Sequence, residues 1–447
     1  MRYTRYHVAV IGAGAMGLAA AYLLNKEGFQ VTVYEKNESA GGQSQSVTLK
    51  NGNKADMFYH YFCRSDKAVF NLLEELNLKH KLHFERVRTG ILHQREMMND
   101  VIFEDLNGVL DTLALKDVSA TAKFRFLWHL LLIRLKGLNL KNDLATAKDV
   151  YQKMEGKEAY SFFWDYLLSK KFFKDADKIS ALFLDCRIKR VMASTSLRGT
   201  YYGFYEGGTG AMLNDIIEIL KERGVEFRFN TEVISINEEQ IKFRNRYNDK
   251  IASEYTENII STIPLHYLIP IVKNLTQKDL DIFCSTENYG CICSMFVLKK
   301  PFSDTFWTNV NRRDWDTNGI VDFSSVKTIK DNIVYIPFYM PHNHTNWHKT
   351  DKDMLYLSEN MLREYLDEDN EIIEKHIYRY EYAQPVFTTD FFDRIKSVKT
   401  SLKGFYCADT CYAYPNDRCV DECIKTAERL VKELIRDDEI KALRRKR

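Results

Sequence analysis

Hydrophobic and polar positions at the start of the chain follow the pattern of a strand, a helix and a second strand. Residues 8–11 form a short, mostly β-branched run, and the apolar stretch that follows ends at Leu24. A second apolar run over residues 31–34 ends at the acidic Glu35. Two such runs on either side of a helical stretch predict two parallel strands joined by a helix.

The rest of the chain divides into stretches of different pattern. Residues 85–200 have mostly helical character, whereas residues 205–262 alternate between helix-like and strand-like segments. The predicted elements are helices over 67–78, 212–223 and 418–434, and strands over 225–229, 232–236, 258–262, 291–300, 333–340 and 404–409.

These elements predict an α/β protein, α+β overall, with a Rossmann-like nucleotide-binding domain that is discontinuous in sequence. A chain of 447 residues exceeds what one hydrophobic core normally serves, so two or three domains are expected. We predict a mixed helix-and-sheet substrate domain inserted between the nucleotide-binding pieces. The predicted boundaries are 1–84, 205–264 and 399–437 for the nucleotide-binding domain, 85–204 for the helical and 265–398 for the sheet part of the substrate domain, and 438–447 for a basic tail.

The loop after the first strand carries the G-x-G-x-x-G spacing of a dinucleotide-binding turn. Gly12 permits the tight turn, Gly14 lets the backbone approach a pyrophosphate, and Gly17 allows the helix to pack closely on the strand. The N–H groups at the start of the helix favour a phosphate. Glu35, 18 residues after Gly17, would accept a hydrogen bond from a ribose hydroxyl. This order predicts a bound dinucleotide.

Composition changes this picture little. The apolar content of 45% and charged content of 28% indicate a globular protein, and a net charge of +2 gives no reason to expect a nucleic-acid partner. The nine cysteines lack the paired spacing of a zinc site, so we predict no metal and reduced thiols in the cytoplasm. No segment has the ~18 uncharged residues of a membrane span.

Four separated motifs resemble the superfamily of flavin amine oxidases and protoporphyrinogen oxidases, which are two-dinucleotide-binding-domain flavoproteins. They are the glycine loop with Glu35, the adjacent glycines that end at Gly42, the segment 224–233, and the segment 406–409 with the helix near Val420. NAD enzymes share only the first motif, so the resemblance implies FAD. The residues that it implies in cofactor binding are Gly12, Ala13, Gly14, Ala15, Met16, Gly17, Glu35, Lys36, Gly42, Gln43, Ser44, Val233, Asp409 and Val420.

Two residues are candidate catalytic groups. Residues 59–62 resemble a motif of UDP-galactopyranose mutase in which the histidine lies beside the flavin ring, which implies that His60 donates a hydrogen bond or shuttles a proton there. The alternative is a buried histidine bonded to the backbone. Lys299 or its neighbour Lys300 resembles the amine oxidase lysine that holds a water against flavin N5; the alternative is an ordinary charged strand end before Pro301.

Candidate substrate-binding residues lie in the helical stretch and near the last strand. Arg187 and Arg190, with Lys171 and Lys189, form a basic set whose guanidinium groups suit a diphosphate or a carboxylate. The alternative is a solvated helix face. Tyr412 is predicted to form an aromatic wall over the flavin, with core packing as the alternative.

The sequence therefore predicts an FAD-dependent oxidoreductase that takes a hydride from a C–N or C–C bond of a small molecule bearing an amine, a sugar or a lipid. One alternative is a nucleotide-sugar mutase that changes no redox state, and another is a flavoprotein with a structural, partner-binding role. Segments 59–62, 164–172, 205–208, 306–309 and 383–386 also resemble a group of uncharacterised oxidoreductases over about residues 7–430. That group defines no substrate.

Residues 123–136 are apolar and flanked by cations, which favours peripheral contact with the inner face of a membrane. The basic residues of 441–447 would add attraction to anionic lipid. A helix packed on the substrate domain is the alternative. The pattern does not indicate an oligomeric state.

Overall fold

The computed structural model of the chain describes residues 5–94, 101–135, 137–196 and 199–445. The described strands are β1 Arg5–Ile11, β2 Phe29–Tyr34, β3 Ser46–Thr48, β4 Lys54–Asp56, β5 Leu82–Val87, β6 Thr89–Gln94, β7 Val101–Asp105, β8 Thr195–Ser196, β9 Gly199–Tyr205, β10 Glu226–Arg228, β11 Thr231–Asn237, β12 Gln240–Asn245, β13 Ile251–Tyr255, β14 Asn258–Ser261, β15 Asn288–Leu298, β16 Trp307–Asn311, β17 Gly319–Asp322, β18 Asn332–Met340, β19 Ile372–Pro385 and β20 Phe405–Cys407. The described α-helices are α1 Ala15–Lys26, α2 Lys67–Glu75, α3 Val109–Ala114, α4 Ala120–Leu135, α5 Ala147–Glu155, α6 Lys157–Tyr160, α7 Tyr166–Phe172, α8 Ala181–Ala193, α9 Thr209–Glu222, α10 Leu265–Leu268, α11 Gln277–Cys284, α12 Asp351–Arg363 and α13 Val420–Arg445.

A five-stranded parallel sheet forms the nucleotide-binding domain, in the order β10, β2, β1, β14 and β20. Its strands come from three separated stretches of the chain, which confirms the predicted discontinuous Rossmann-like fold. Helix α1 packs against β2 and α13, and eight of its twelve residues are buried. A helix that is apolar nearly all round must be covered on both sides, and the sheet and α13 provide that cover.

A seven-stranded sheet forms the second layer, in the order β19, β15, β18, β17, β16, β6 and β7. All eleven residues of its strand β15, which lies between β19 and β18, are buried. Strands β6 and β7 come from the stretch predicted to be helical, as does the start of β9, which pairs with β5. That prediction was wrong for these segments because β6 and β9 pair with β16 and β5, which lie far away in sequence, and β7 pairs in turn with β6.

Six helices, α3 to α8, fill the remainder of the predicted helical insert. Helix α8 buries seven of its thirteen residues and is capped at its start by Ser180, whose hydroxyl accepts from the N–H of Leu182 at 3.2 Å. This rigid helix carries Arg187 and Arg190 toward the junction between the two sheets. At the other end of the chain, α13 continues to Arg445, so the predicted tail begins as helix; the side chains from residue 440 onward lie outside the described residues.

Candidate functional site

The turn between β1 and α1 is built as the glycine spacing predicts. Gly12 has a φ of +97°, which favours glycine, and a Cβ built on Gly17 would lie 1.9 Å from the carbonyl oxygen of Gly12. Gly14 is the N-cap of α1, with no side-chain cap and no acidic residue in the first turn. The start of α1 therefore offers backbone N–H groups and a partial positive charge to an anion.

A second glycine loop lies against this turn. The N–H of Gly41 donates to the carbonyl of Ala13 at 2.9 Å, and a Cβ on Gly42 would lie 3.6 Å from the Cα of Gly14. Gln43 donates through Nε2 to the carbonyl of Tyr382 at 3.2 Å, which joins the loop to β19. The two loops together make a backbone cradle with no charged side chain of its own, which fits a diphosphate.

Glu35 lies at the end of β2, beside this cradle. Its two carboxylate oxygens accept from the N–H groups of Ala13 and Asn37, each at 2.9 Å. Each oxygen keeps a second lone pair, so a ribose hydroxyl is still accommodated. Nearby, the ammonium of Lys36 lies 4.9 Å from the ring centroid of Tyr267, and Val233 is buried in β11.

A cavity extends from the glycine loops to the start of α13. The predicted site residues that line it are Gly14, Ala15, Met16, Gly42, Gln43, Ser44, His60, Arg187, Arg190, Asp409 and Val420. Of the other predicted cofactor residues, Gly12, Ala13 and Gly17 shape the turn from behind.

The C-terminal motif closes the far part of the cavity. Asp409 accepts from the N–H of Leu265 at 3.0 Å and from the N–H of Cys411 at 2.9 Å, so its carboxylate ties β20 to α10. Val420 begins α13 two residues after Arg418, which also lines the cavity. The three pieces of the nucleotide-binding domain thus meet around one space, and their residues fit an extended dinucleotide such as FAD.

His60 lies in the cavity wall with a defined tautomer. Its Nδ1 is 2.8 Å from the carbonyl of Phe58, which can only accept, so Nδ1 carries the proton. Its Nε2 is 3.3 Å from the hydroxyl of Ser44. Burial lowers the pKa of His60 to about 4. The imidazole is therefore neutral near pH 7 and presents the lone pair of Nε2.

Four cations and an acid form the deep wall of the cavity. Arg187 donates directly to Asp417, and the ammonium of Lys171 lies 3.5 Å from the same carboxylate. Arg190 instead forms a bidentate pair with Asp66, at 3.0 and 2.7 Å. Arg418 donates to the hydroxyl of Tyr339 at 2.9 Å and to the side-chain oxygen of Gln384.

The structure places two predicted site residues away from the cavity. Lys299 lies just beyond β15 and pairs with Glu371 at 3.0 Å on the surface. Cys291, in β15, lines the cavity, and the eight residue steps from it to Lys299 span ~26 Å of extended chain. Tyr412 is buried in the core, where its hydroxyl donates to the carbonyl of Ser397 at 2.8 Å. Lys299 thus lies at a charged strand end and Tyr412 packs in the core, which are the alternatives given for them from the sequence.

Sequence reasoning missed several residues of the wall. Asp417 and Arg418 stand in a polar loop before the last helix, and Tyr339 and Trp307 stand in strands of the second sheet. The family motif ends near Val420, so the adjacent charged pair could have been noted. The tyrosine and tryptophan carry no local signal, because only the sheet brings them to the cavity.

No described cysteine forms a disulfide, and all nine are free. Within the described residues, His93, Glu104 and Asp117 bring possible ligand atoms within 4.8 Å of one another. Glu104 faces Nε2 of the histidine at 2.7 Å and Asp117 faces Nδ1 at 3.8 Å. The two acids bracket opposite sides of the ring, which is the arrangement of a hydrogen-bonded histidine. Among the helices described, none combines the length and the apolar character needed to cross a membrane.

Comparison with known proteins identifies relatives of this chain. Residues 17–429 match the family of flavin-containing amine oxidoreductases. Protoporphyrinogen oxidase 2 of Arabidopsis thaliana is 28% identical over 178 residues, 39% of this chain and 34% of that protein. Coproporphyrinogen III oxidase of Staphylococcus aureus is 20% identical over 283 residues, 57% of this chain and 60% of that protein. The matches thus span about one third to three fifths of these curated relatives.

Solved structures share the fold over nearly the whole chain. An oxidoreductase from Methanosarcina mazei has a TM-score of 0.71 at 16% identity, covering 96% of this chain and all of that one. Putrescine oxidase with bound putrescine has a TM-score of 0.69 at 14% identity, covering 96% and 99%. The predicted superfamily, the FAD cofactor and the oxidoreductase class are confirmed by the family match, whereas the mutase alternative gains no support. The chain belongs to the flavin-containing amine oxidoreductase family.

Proposed function

We propose that the chain is an FAD-dependent oxidoreductase whose small-molecule substrate binds at the deep end of the cavity. The observation that supports this most strongly is one continuous space that begins at Gly14 and ends at Arg418 and Val420. When bound, FAD supplies a two-electron acceptor for a hydride as a C–N or C–C single bond of the substrate is oxidised. The chain then needs to bind and orient the substrate and to move a proton.

His60 is the residue that we propose for the proton. Its Nδ1–H is held by the Phe58 carbonyl, which leaves the lone pair of Nε2 beside the cavity and next to the Ser44 hydroxyl. A neutral imidazole in this orientation accepts a proton from the substrate as the hydride leaves. Arg187 and Arg190 line the same space and are proposed to contact the substrate.

The experiment is anaerobic mixing of the purified yellow protein with amines, polyprenols and nucleotide sugars, followed by admission of air. A true substrate bleaches the flavin, and an acceptor restores the colour. His60→Gln should keep the colour and bleach at least about tenfold more slowly, in the range of a lost general base. Lys299→Ala, which changes a surface pair, is the control and should bleach at the wild-type rate.

Two outcomes would replace the proposal. Conversion of a nucleotide sugar only after reduction with dithionite, with no bleaching by any donor, would favour the mutase. A protein that binds FAD but neither bleaches nor converts a substrate would favour the structural role.

We further propose that the face formed by α3 and α4 rests on an anionic membrane surface. Phe124, Trp128, Leu131 and Leu135 follow one another at spacings of four, three and four, so they share one side of α4, and their exposures are 68%, 50%, 41% and 72%. Helix α3 adds three more exposed apolar residues, Val109, Leu110 and Leu113. Lys123 joins the two helices by donating to the Leu113 carbonyl at 3.0 Å.

The charged residues around this α3–α4 face favour an anionic membrane surface as its partner. Lys116, Arg134 and Lys141 are exposed around it, against one exposed acid, Asp117, within the described residues from 109 to 144. An apolar face with a cationic border binds the headgroup region of anionic bilayers. Such a protein would act at the cytoplasmic face of a membrane.

Cosedimentation with vesicles tests this placement. Phosphatidylglycerol-containing vesicles should sediment the wild-type protein, and vesicles of phosphatidylcholine alone should sediment less of it. Trp128→Glu should abolish the difference, whereas Tyr356→Glu, at an exposed aromatic residue of α12, should leave it unchanged. Vesicle binding that Trp128→Glu leaves unchanged would refute the proposed membrane contact. So would a dimer in solution that Trp128→Glu dissociates, if the wild type binds no vesicles.

A further inference from the structure

We propose that Lys171, Arg187 and Arg418 form a subsite for an anionic group of the substrate, a carboxylate or a phosphate, and that the cavity rejects free amines. The proposal rests on the proposed function, because it places a substrate at the deep end of an FAD-binding cavity. It differs in chemistry from the binding of putrescine, a diamine, by the structural neighbour described above.

The three cations converge from separate parts of the chain on one carboxylate. Lys171 lies in the last turn of α7, Arg187 lies in the middle of α8, and Arg418 stands in the loop before α13. The Lys171 ammonium and the Arg418 guanidinium each lie 3.5 Å from Asp417, and Arg187 donates to it directly. Rigid helices hold two of the three groups, so the cluster is a built feature of the fold.

The charges of this cluster do not balance. Arg190 is neutralised by its bidentate contact with Asp66, so Asp417 is the acid left for Lys171, Arg187 and Arg418 among the described lining residues nearby. Although burial acts to raise it, the pKa of Asp417 lies well below its usual range because Lys171, Arg187 and Arg418 surround it.

The surroundings of Lys171 disfavour its charged form. Burial lowers the pKa of its ammonium, and Arg187 lowers it further, while Asp417 opposes both. The excess positive charge is two with Lys171 protonated and one with Lys171 neutral. An anion that enters the cluster stabilises the charged form in either case.

Several hydrogen-bond donors of the cluster have no acceptor among the residues that the structure describes. Lys171 is 4% exposed and carries three N–H donors, yet among the described residues its hydrogen bond is a long one to Asp417. Arg187 carries five N–H donors and bonds to the same carboxylate. Buried cations are stable only when paired and hydrogen-bonded, and these two face the cavity, so a ligand anion would complete their coordination.

The walls beside the cluster indicate what the anion is attached to. Tyr59, Tyr339 and Trp307 line the cavity, and the two tyrosine hydroxyls lie 3.1 Å apart. Arg418 is fixed by Tyr339 and Gln384 and lies 5.3 Å from the Tyr339 ring centroid. An apolar body with one anionic end fits aromatic walls that lead to a cationic end, whereas an ammonium would meet like charges there.

The test uses the FAD-loaded protein and follows the flavin absorbance on titration with inorganic pyrophosphate, decanoate, decanol and putrescine. Pyrophosphate or decanoate should perturb the spectrum saturably; the first alone indicates a phosphate, the second alone a carboxylate, and decanol and putrescine should bind at least about tenfold more weakly. Arg187→Gln should weaken the binding of the preferred anion about tenfold, the value of one charge-assisted hydrogen bond. Arg187→Lys should restore part of it.

Asp417→Asn provides a change of the opposite sign. Removal of this competing carboxylate should tighten anion binding, an effect that a purely structural residue would not produce. Arg244→Gln, which breaks an exposed pair with Glu232, is the matched control and should change nothing. If Asp417→Asn does not fold, Arg187→Gln alone decides.

Two results would overturn the subsite. One is binding of putrescine as tight as that of either anion. The other is loss of FAD from Arg187→Gln with no anion binding by the wild-type holoprotein, which would assign the cluster to the cofactor. The proposed function is tested separately, because the FAD content and the bleaching of the wild type do not depend on which substrate group binds here.

Discussion

Replacement of Gly14 by alanine separates what the fold requires from what the cofactor requires. Gly14 has a φ of −77°, which any residue adopts, and a Cβ built there meets no protein atom within 4 Å. The Cβ of an alanine at Gly17 would instead lie 1.9 Å from the Gly12 carbonyl oxygen and 2.9 Å from the Thr262 hydroxyl. We therefore expect Gly14→Ala to fold normally and Gly17→Ala to displace α1.

The magnitudes follow from these distances. Gly14→Ala should change the free energy of unfolding of the apoprotein by less than about 1 kcal/mol. Its methyl group projects into the cradle where a diphosphate would meet the α1 amides, and the loss of one charge-assisted hydrogen bond costs about 1.5–3 kcal/mol. The Kd for FAD should then rise by about 10- to 100-fold. Gly17→Ala should in addition destabilise the apoprotein by about 1–3 kcal/mol.

The assay is titration of the apoprotein with FAD, followed by the quenching of flavin fluorescence, together with chemical unfolding of each apoprotein. Gly137→Ala, at an exposed glycine whose Cβ also meets nothing, is the matched control and should behave as wild type. A wild-type Kd for Gly14→Ala would refute the placement of the diphosphate. An unfolded Gly14→Ala apoprotein would refute the account of the turn.

Three further predictions concern single side chains. Glu35→Gln should weaken FAD binding about tenfold in the same titration, because a charge-assisted acceptor for the ribose becomes neutral, and the apoprotein should still fold. An unchanged affinity for FAD would show that Glu35 does not bind the cofactor. Burial lowers the pKa of His60 in the folded state to about 4, so the unfolded state binds more protons below about pH 6.5. His60 should therefore lower the free energy of unfolding by up to about 3 kcal/mol as the pH falls from about 6.5 to about 4. Burial raises the pKa of Asp56 to about 6, which changes the free energy of unfolding with pH in the opposite direction. The wild type must therefore be compared with His60→Gln by urea unfolding at each pH. Equal slopes of the unfolding free energy against pH would show that His60 is not buried as described. Lys299→Ala should leave FAD affinity and bleaching unchanged, and a large loss of either would return Lys299 to the site.

The nucleotide-binding half was predictable because its signals are local. The glycine loop, Glu35 and Gly42 each impose a backbone requirement that can be seen in a few neighbouring residues, and the φ of +97° at Gly12 and the close approach at Gly17 satisfy them. The prediction that the domain is assembled from both ends of the chain followed from the C-terminal motif near Asp409. The parallel pairing of β14 with β1 and β20 provides the physical reason.

The substrate half was less predictable because long-range pairing builds it. Strand β6 becomes a strand by joining β16, and β7 by pairing in turn with β6. Lys299 matched a family motif at the level of sequence, but the direction of β15 carries it to the opposite end of the sheet from the cavity. Asp417, which organises the cation cluster, stands beside Arg418 in a loop whose position is set by tertiary contacts alone.

The central claim is that the two glycine loops and the last helix hold FAD, and the most direct measurement is the amount of FAD released on heating the purified wild-type protein. The account predicts a yellow protein with about one FAD per chain, or an apoprotein that takes up one FAD on reconstitution while Gly14→Ala takes up far less at the same concentration. A colourless wild-type protein that folds and binds no added FAD would contradict it.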